Sequence, residues 1–140
     1  AHFAKRGKRG FFNYVYSSVV SLRSYRPIEI KGKGPTFSFT VANANQFGNN
    51  AYISPESDLQ DGQLESIYIK PGSFWSVANL GISLFRKNLP YNPLVTISSI
   101  KSLQIDAPVG IPYHLDGESL LLQSGTIEIA ILPSALLVIK

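Results

Sequence analysis

The chain has 140 residues, of which 44% are hydrophobic and 16% charged, and its net charge is +4. This length and composition suit one globular domain with a hydrophobic core and exclude a disordered segment. The absence of cysteine excludes disulfides and thiolate metal sites, and no run reaches the about 18–20 apolar residues that a membrane-spanning helix needs. We therefore expect a cytoplasmic protein. Because the sequence also has no methionine, we expect it to be a piece of a longer protein.

A basic cluster near the start precedes a predicted helix. The cluster consists of Lys5, Arg6, Lys8 and Arg9. It is either a solvated helix end or a contact for the phosphate groups of lipid or nucleic acid. Apolar residues then recur every three or four positions, which predicts an amphipathic helix over residues 11–25 that ends before Pro27.

The rest of the chain alternates apolar and polar residues, which is typical of β-strands. The predicted strands cover residues 28–31, 36–42, 52–53, 64–69, 95–105, 113–115, 126–132 and 136–139. Residues 120–122 are interpreted as a short apolar segment that closes a hairpin. A second helix interrupts the strands: Ser73 is its predicted N-cap, the helix runs to about Phe85, and Arg86 and Lys87 suit its C-terminus.

The order of these elements predicts the fold class. The strands follow one another without regular β-α-β alternation, which favours antiparallel pairing. We predict a mainly β fold, an antiparallel β-sandwich with two flanking α-helices, in a single domain over residues 1–140. The candidates for an apolar interior between its sheets are Phe37, Phe39, Tyr52, Ile67, Ile69, Val95, Ile97 and Ile105.

The tripeptide Asp116-Gly117-Glu118 ends an apolar run and carries two acids. If the strand continued through it, both carboxylates would point to the same side, as proton transfer or cation binding requires. Asp-Gly is also a common turn dipeptide, and spacing alone favours a solvated turn.

A second acidic loop lies between the strands predicted at residues 52–53 and 64–69. Asp58 and Asp61 are three positions apart, and Gly62 allows a sharp turn before Gln63. Carboxylate and carbonyl oxygens of such a turn are ligands for Mg²⁺ or Ca²⁺, although most acidic turns are simply solvated. Upstream, residues 43–50 are small, polar and turn-prone, as expected where a backbone approaches a ligand or where a long hairpin connection runs.

Taken in order, these motifs resemble the C-terminal domain of the diacylglycerol kinase catalytic family, which includes bacterial lipid kinases and sphingosine kinases. The resemblance covers nearly the whole chain. The matching segments are Ala42-Asn43 with Gly48, Ser54-Pro55, Asp61-Gly62-Gln63-Leu64, Leu115-Asp116-Gly117-Glu118, Ile127-Glu128-Ile129 and Leu132-Pro133-Ser134-Ala135-Leu136. Asn49 and Asn50 stand where the family commonly has glycine, and asparagine tolerates left-handed backbone angles.

The resemblance implies a lipid kinase and assigns roles to individual residues. Glu118 corresponds to the proton acceptor, and Asp116 would hold the catalytic Mg²⁺ or orient the lipid hydroxyl. Asp61 corresponds to a ligand of a structural Mg²⁺, with contributions from Asp58 and from the backbone carbonyl of Gln63. The loop that carries Asn43 and Asn45 is the candidate lining of the substrate cleft.

The resemblance also implies partners that the chain itself lacks. An N-terminal nucleotide-binding domain would bind ATP, so we expect this chain alone to be inactive and to hold the lipid at the cleft between two domains. We also expect the chain to lack the first strand or two of its own domain. We expect a cytoplasmic protein with transient contact to a membrane surface and, through open sheet edges, a possible homodimer.

Two other functions are weighed against the kinase. A non-catalytic lipid-binding or regulatory β-sandwich would use the same fold without chemistry. A nucleic-acid-binding domain would use the basic start and nearby aromatic residues, but these fall on several helix faces and the rest of the chain is not basic, so we expect no nucleic-acid partner. The Leu-Asp-Gly-Glu pattern favours the lipid kinases over the distantly related NAD kinases.

Overall fold

The described residues form several small antiparallel sheets and one α-helix. The structure is a computed structural model, and it describes residues 25–48, 50–133 and 135. The strands are β1 (Ile28–Ile30), β2 (Gly34–Thr36), β3 (Ser38–Ala42), β4 (Leu64–Ile69), β5 (Val95–Ile100), β6 (Ser102–Asp106), β7 (Pro112–Leu115), β8 (Glu118–Leu121) and β9 (Thr126–Ala130). Strands β3, β4 and β5 form a three-stranded sheet in the order β3-β4-β5, and the others pair as β1-β2, β6-β9 and β7-β8. The prediction of a mainly antiparallel β protein is confirmed.

The core lies between the three-stranded sheet and the helix. Alternate side chains of a strand share one face, so Ile67 and Ile69 of β4 point to the same side. Both are buried, and they pack with side chains from the loop before β4, the helix and the turn after it. The members of this cluster are Ile53, Ile67, Ile69, Leu80 and Leu89.

The helix α1 (Phe74–Phe85) confirms the second predicted helix and its cap. Ser73 has extended backbone angles, and its Oγ accepts a hydrogen bond from the Ser76 N–H at 3.3 Å, which satisfies one of the free amides at the helix start. At the other end, the Arg86 N–H donates to the Ile82 carbonyl. A short 3₁₀ helix (Leu89–Tyr91) follows and leads into β5. The first predicted helix, over residues 11–25, falls almost entirely outside the described residues.

Two long predicted strands are each divided, because the chain changes sheets within them. Residues 36–42 were predicted as one strand, but β2 pairs with β1 and β3 with β4, and the break falls at Phe37. Residues 95–105 divide at Lys101, where β5 leaves β4 and β6 begins its pairing with β9. The prediction of a strand at residues 52–53 is wrong: the Tyr52 N–H donates to the Leu84 carbonyl at the end of α1 instead of joining a ladder.

A hairpin extends from the β6-β9 pair. Beyond these two strands, the Ala107 N–H donates to the Gly125 carbonyl at 3.0 Å, and the Leu122 N–H to the Ile111 carbonyl at 2.9 Å. These bonds link the β6-β9 ladder to the β7-β8 hairpin, so residues 120–122 do close a hairpin as predicted. Leu122 is buried at its base, whereas β8 is exposed along its whole length.

Candidate functional site

One edge of the three-stranded sheet brings the asparagine loop and the acidic loop together. Ala42, the last residue of β3, lies opposite Glu65 of β4, so Asn43 emerges beside the start of β4. Asn45 is tied to the acidic loop, because its carbonyl accepts a hydrogen bond from the Ser54 N–H at 3.2 Å. Asn43 and Asn45 are both exposed at this edge. We call residues 43–45 and 54–65 the acidic edge.

Both aspartates of the acidic edge shape their own loop. The Gln60 N–H donates to Asp58 Oδ1 at 2.9 Å, and the Gln63 N–H donates to Asp61 Oδ1 at 2.8 Å. Each bond closes an aspartate turn of the kind that a short polar side chain makes with the backbone two residues on. Gly62 has φ +67°, the left-handed conformation that the predicted sharp turn requires.

The donors of this loop have the chemistry that a hard cation requires. Each aspartate uses one oxygen in its turn and has a second one, and the Gln63 carbonyl is a neutral oxygen donor close by in the chain. Within the described residues, no group of three or more His, Cys, Asp or Glu side chains converges on one point. A Mg²⁺ at Asp58 and Asp61 would therefore take the Gln63 carbonyl and water as further ligands.

A buried acid that the sequence reasoning missed supports the same loop. Glu65 is only 7% exposed, and its Oε2 accepts a hydrogen bond from the Ser57 hydroxyl at 2.7 Å. It lies on the face of β4 that also carries Ile67 and Ile69. The signal was present, since an acid stands where the alternation of the strand requires an apolar residue.

The Asp116-Gly117 pair is the turn of the β7-β8 hairpin, not part of a strand. Asp116 has φ +47° and Gly117 has φ +92°, which are the angles of the tight two-residue turn that suits antiparallel strands. Leu115 pairs directly with Glu118 across the turn. The reading in which Asp116 and Glu118 share one side of a continuous strand is therefore wrong, and the turn that spacing alone favoured is confirmed.

Glu118 shares one face of the hairpin with apolar side chains. Because pairs across the strands lie on the same face, Glu118 groups with Leu115, and the pair of Tyr113 and Leu120 follows on that side. Both Asp116 and Glu118 are exposed, and Leu115 beside them is 61% exposed. On the opposite face, the Ser119 hydroxyl lies 3.3 Å from His114 Nδ1.

The acidic edge and the hairpin tip are connected to opposite ends of the β6-β9 pair. Gly62 of the acidic edge packs near Pro133, which follows β9, and a β-carbon at Gly62 would lie 3.9 Å from that ring. The tip at Asp116 lies at the far end of the β6-β9 and β7-β8 ladders. No hydrogen bond within the described residues joins the two acidic segments.

A cavity of about 280 Å³ lies beside the start of α1. Its lining is mostly apolar, and the Tyr25 hydroxyl at its wall donates to the Thr36 carbonyl at 2.9 Å. Partial burial raises the pKa of the Tyr25 hydroxyl. The lining residues are Tyr25, Pro27, Phe37, Pro71, Gly72, Phe74 and Val77. Of the predicted interior residues only Phe37 lines it; Ile67 and Ile69 belong to the packed core.

One known family matches almost the whole chain. The family described as "YegS C-terminal NAD kinase beta sandwich-like domain" matches residues 3–140. The chain belongs to this family. It is therefore a C-terminal domain of the YegS-like lipid kinases, within the diacylglycerol kinase catalytic family. No curated protein matches the chain at a significant level.

Membership of the YegS family confirms the resemblance inferred from the motifs. The family description also agrees with the predicted β-sandwich class and with the antiparallel sheets of the structure. Asn50 adopts φ +60°, as expected for an asparagine that stands at a glycine position, while Asn49 lies outside the described residues. Within those residues, no helix is long and apolar enough to cross a membrane.

Proposed function

We propose that this chain is the lipid-acceptor domain of an ATP-dependent lipid kinase. The observation that carries the proposal is the match of the YegS C-terminal family to residues 3–140. The reaction transfers the γ-phosphoryl group of MgATP to a hydroxyl group of a lipid. Glu118 takes the proton that this hydroxyl loses, and ADP leaves with the β-phosphate oxygen.

The exposed hairpin supports a catalytic site at a junction between two domains. Leu115 is apolar and 61% exposed beside Asp116 and Glu118, and Leu120 on the same face of the hairpin is 39% exposed. Adjacent exposed apolar side chains with a polar rim favour a surface that another protein surface covers. We propose that the hairpin faces the nucleotide-binding domain of the same protein, which holds ATP, and that Asp116 orients the hydroxyl or the catalytic Mg²⁺.

The acidic edge and the cavity receive separate roles. Asp58, Asp61 and the Gln63 carbonyl hold a structural Mg²⁺, and the asparagine loop with Asn43 and Asn45 lines the substrate cleft. The apolar cavity beside α1 is a candidate for part of a lipid tail. Its volume of about 280 Å³ is close to the lower end of the range for small-molecule sites. The proposal also includes transient contact of the protein with a membrane surface. It further includes homodimers that form through open strand edges.

Substituting Glu118 by glutamine in the full-length protein tests this function. Glutamine keeps the size of the side chain but cannot accept the proton, so we expect phosphorylation of the lipid to fall by about 10²–10⁴-fold. Asp116→Asn is a second test, because Asn-Gly forms the same tight turn as Asp-Gly and the hairpin is preserved. The measurement is transfer of labelled phosphate from ATP to diacylglycerol, sphingosine or phosphatidylglycerol dispersed in detergent.

The matched control is Glu29→Gln, which removes an exposed acid from β1, away from the hairpin. We expect its phosphorylation rate to equal that of the wild type. Unchanged activity of Glu118→Gln would remove Glu118 from the role of proton acceptor. Lipid binding by a wild-type protein that phosphorylates none of the lipids would favour the non-catalytic lipid-binding domain instead.

A further inference from the structure

Helix α1 carries two apolar faces, of which only one meets the core. Leu80 is buried against the sheet, with Val77 and Leu84 partly buried on the same side. The opposite side presents a second row at spacings of three, four and three. This outer row consists of Trp75, Ala78, Ile82 and Phe85.

The outer row is not covered by any other part of the chain that the structure describes. Trp75 is 78% exposed, Ile82 50% and Phe85 48%, and Asn79 is the one polar side chain among them. The Phe74 ring packs edge-on against Trp75, with 5.3 Å between ring centroids. A surface helix of a soluble domain normally turns a charged or polar face outward. This apolar outer face therefore indicates a partner surface.

The charged residues in the segment of chain that contains the outer row are all positive. Residues 66–105 contain no aspartate or glutamate but include Lys70, Arg86, Lys87 and Lys101. Arg86 and Lys87 directly follow the outer row, and both are exposed. The Lys87 ammonium group lies 4.2 Å from the centre of the Tyr52 ring. A long segment without acids next to an exposed aromatic row is complementary to a negatively charged surface.

We propose that the outer face of α1 lies in the interface of an anionic lipid bilayer, with the row of Trp75, Ile82 and Phe85 inserted and Arg86 and Lys87 at the headgroups. Aromatic and basic side chains together suit this interface, where apolar atoms meet phosphate. A contact between two copies with their helices parallel would bring the cations of one helix near those of the other, which argues against that form of self-association. The choice of a membrane rests on the proposed function, since the substrate of a lipid kinase resides there.

Sedimentation of the full-length protein with vesicles tests this surface. One set of vesicles contains phosphatidylcholine alone, and the other also contains phosphatidylglycerol. We expect binding to the anionic vesicles that weakens with salt and falls about tenfold in the double variant Trp75→Ala/Ile82→Ser. The control is Val109→Ser, which removes a 66% exposed apolar side chain from the loop between β6 and β7 and should bind like the wild type.

The basic residues are tested separately. Arg86→Gln and Lys87→Gln should each weaken binding to anionic vesicles about fivefold, and should leave the weak binding to neutral vesicles unchanged. Lys33→Gln, a change to an exposed lysine in the turn between β1 and β2, is the matched control. Trp75→Phe keeps an apolar ring at this position and should retain most of the binding. Circular dichroism checks that each variant keeps its secondary structure.

Three results would overturn the inference. The first is that the wild type binds both types of vesicle equally well. The second is that the double variant is folded and binds vesicles as well as the wild type does. The third is that the wild type is a dimer and the double variant a monomer, with no difference in vesicle binding. The phosphorylation assay in detergent is independent of this surface. If the protein binds vesicles but phosphorylates no lipid, the proposed function alone is contradicted. If it phosphorylates lipid and the variants bind vesicles as well as the wild type does, the proposed membrane surface alone is contradicted.

Discussion

Single hydrogen bonds fix the acids that surround the candidate site. Glu65 is a buried carboxylate on the core face of β4, and the Ser57 hydroxyl is its side-chain partner. A buried charged group is tolerated only when it is hydrogen-bonded or paired. The Ser57 hydroxyl thus links the acidic edge to the core of the sheet.

Removal of the Ser57 hydroxyl should destabilise the protein. Ser57→Ala leaves the buried Glu65 carboxylate without this donor, so we expect the free energy of unfolding to fall by about 1–3 kcal/mol. Urea denaturation at neutral pH measures the change. Ser124→Ala is the control. The Ser124 hydroxyl also donates a hydrogen bond of 2.7 Å, to the Thr126 carbonyl, but it is exposed. We therefore expect the free energy of unfolding to fall by less than about 0.5 kcal/mol. Equal losses would contradict a special role for Glu65.

The pKa of Asp106 should report on a hydrogen bond between strands. The Thr126 hydroxyl donates to Asp106 Oδ1 at 3.0 Å, and this bond, followed by the Gln104 side chain and Lys31, lowers the pKa of Asp106. Because the folded-state pKa is lowered, the stabilisation is present above the unfolded pKa of about 3.9 and is lost as pH falls through the folded pKa.

Thr126→Val removes that hydroxyl while keeping the shape of the side chain. We expect the pKa of Asp106 to rise towards its usual value, and the stability difference from wild type to disappear in strong acid. Carboxyl chemical shifts followed by NMR across the acid range measure the pKa. Thr96→Val, a change at an exposed position of β5, is the matched control and should leave the Asp106 titration unchanged.

At the scale of elements, the sequence predicted those whose signals are local. Ser73 marks the start of α1, and regular alternation marks β4, so both appear within a residue or two of their predicted bounds. The breaks at Phe37 and Lys101 were missed because β-type residues continue on both sides of each. At each break the chain begins to pair with a different strand. The local alternation of residues does not predict which distant segment a strand pairs with.

The hairpin turn should depend on Gly117. Its φ of +92° is unfavourable for a residue with a β-carbon, so Gly117→Val should destabilise the hairpin by about 1–2 kcal/mol or more. Because the β7-β8 strands are largely exposed, we expect them to open locally without unfolding of the core. Limited proteolysis should then cut within residues 112–121 faster than in the wild type. Asp116→Asn, which suits the same turn, should be cut at the wild-type rate.

At the scale of the whole molecule, cation binding should appear as stability. A cation that binds only the folded protein raises the free energy of unfolding, by about 2.7 kcal/mol at a hundred times its dissociation constant. We expect Mg²⁺ to raise the melting temperature of the wild type, and to raise that of Asp61→Asn much less. Asparagine keeps an oxygen for the Gln63 N–H, so the turn and the stability without Mg²⁺ should be retained. Equal responses of both proteins to Mg²⁺ would contradict a site at Asp61.

The family and fold class were predictable because ordered motifs extend over the chain, but the arrangement of the site was not. The loops at Asn45 and Asp58 lie close in sequence and meet at one sheet edge. Glu118, in contrast, lies in the β7-β8 hairpin, which belongs to a different sheet, and its proposed partners belong to another domain. Local spacing therefore predicted the acidic loop and its sharp turn, whereas the relation between the two acidic segments depends on long-range pairing.

The position of β4 has a consequence for the order in which the fold opens. It is bonded along both sides, to β3 and to β5, whereas the other described strands each have one partner in their sheets. Its backbone amides should therefore exchange with deuterium more slowly than those of any other described strand, at rates set by global unfolding. The amides of β8, which is exposed along its whole length, should exchange before those of β4.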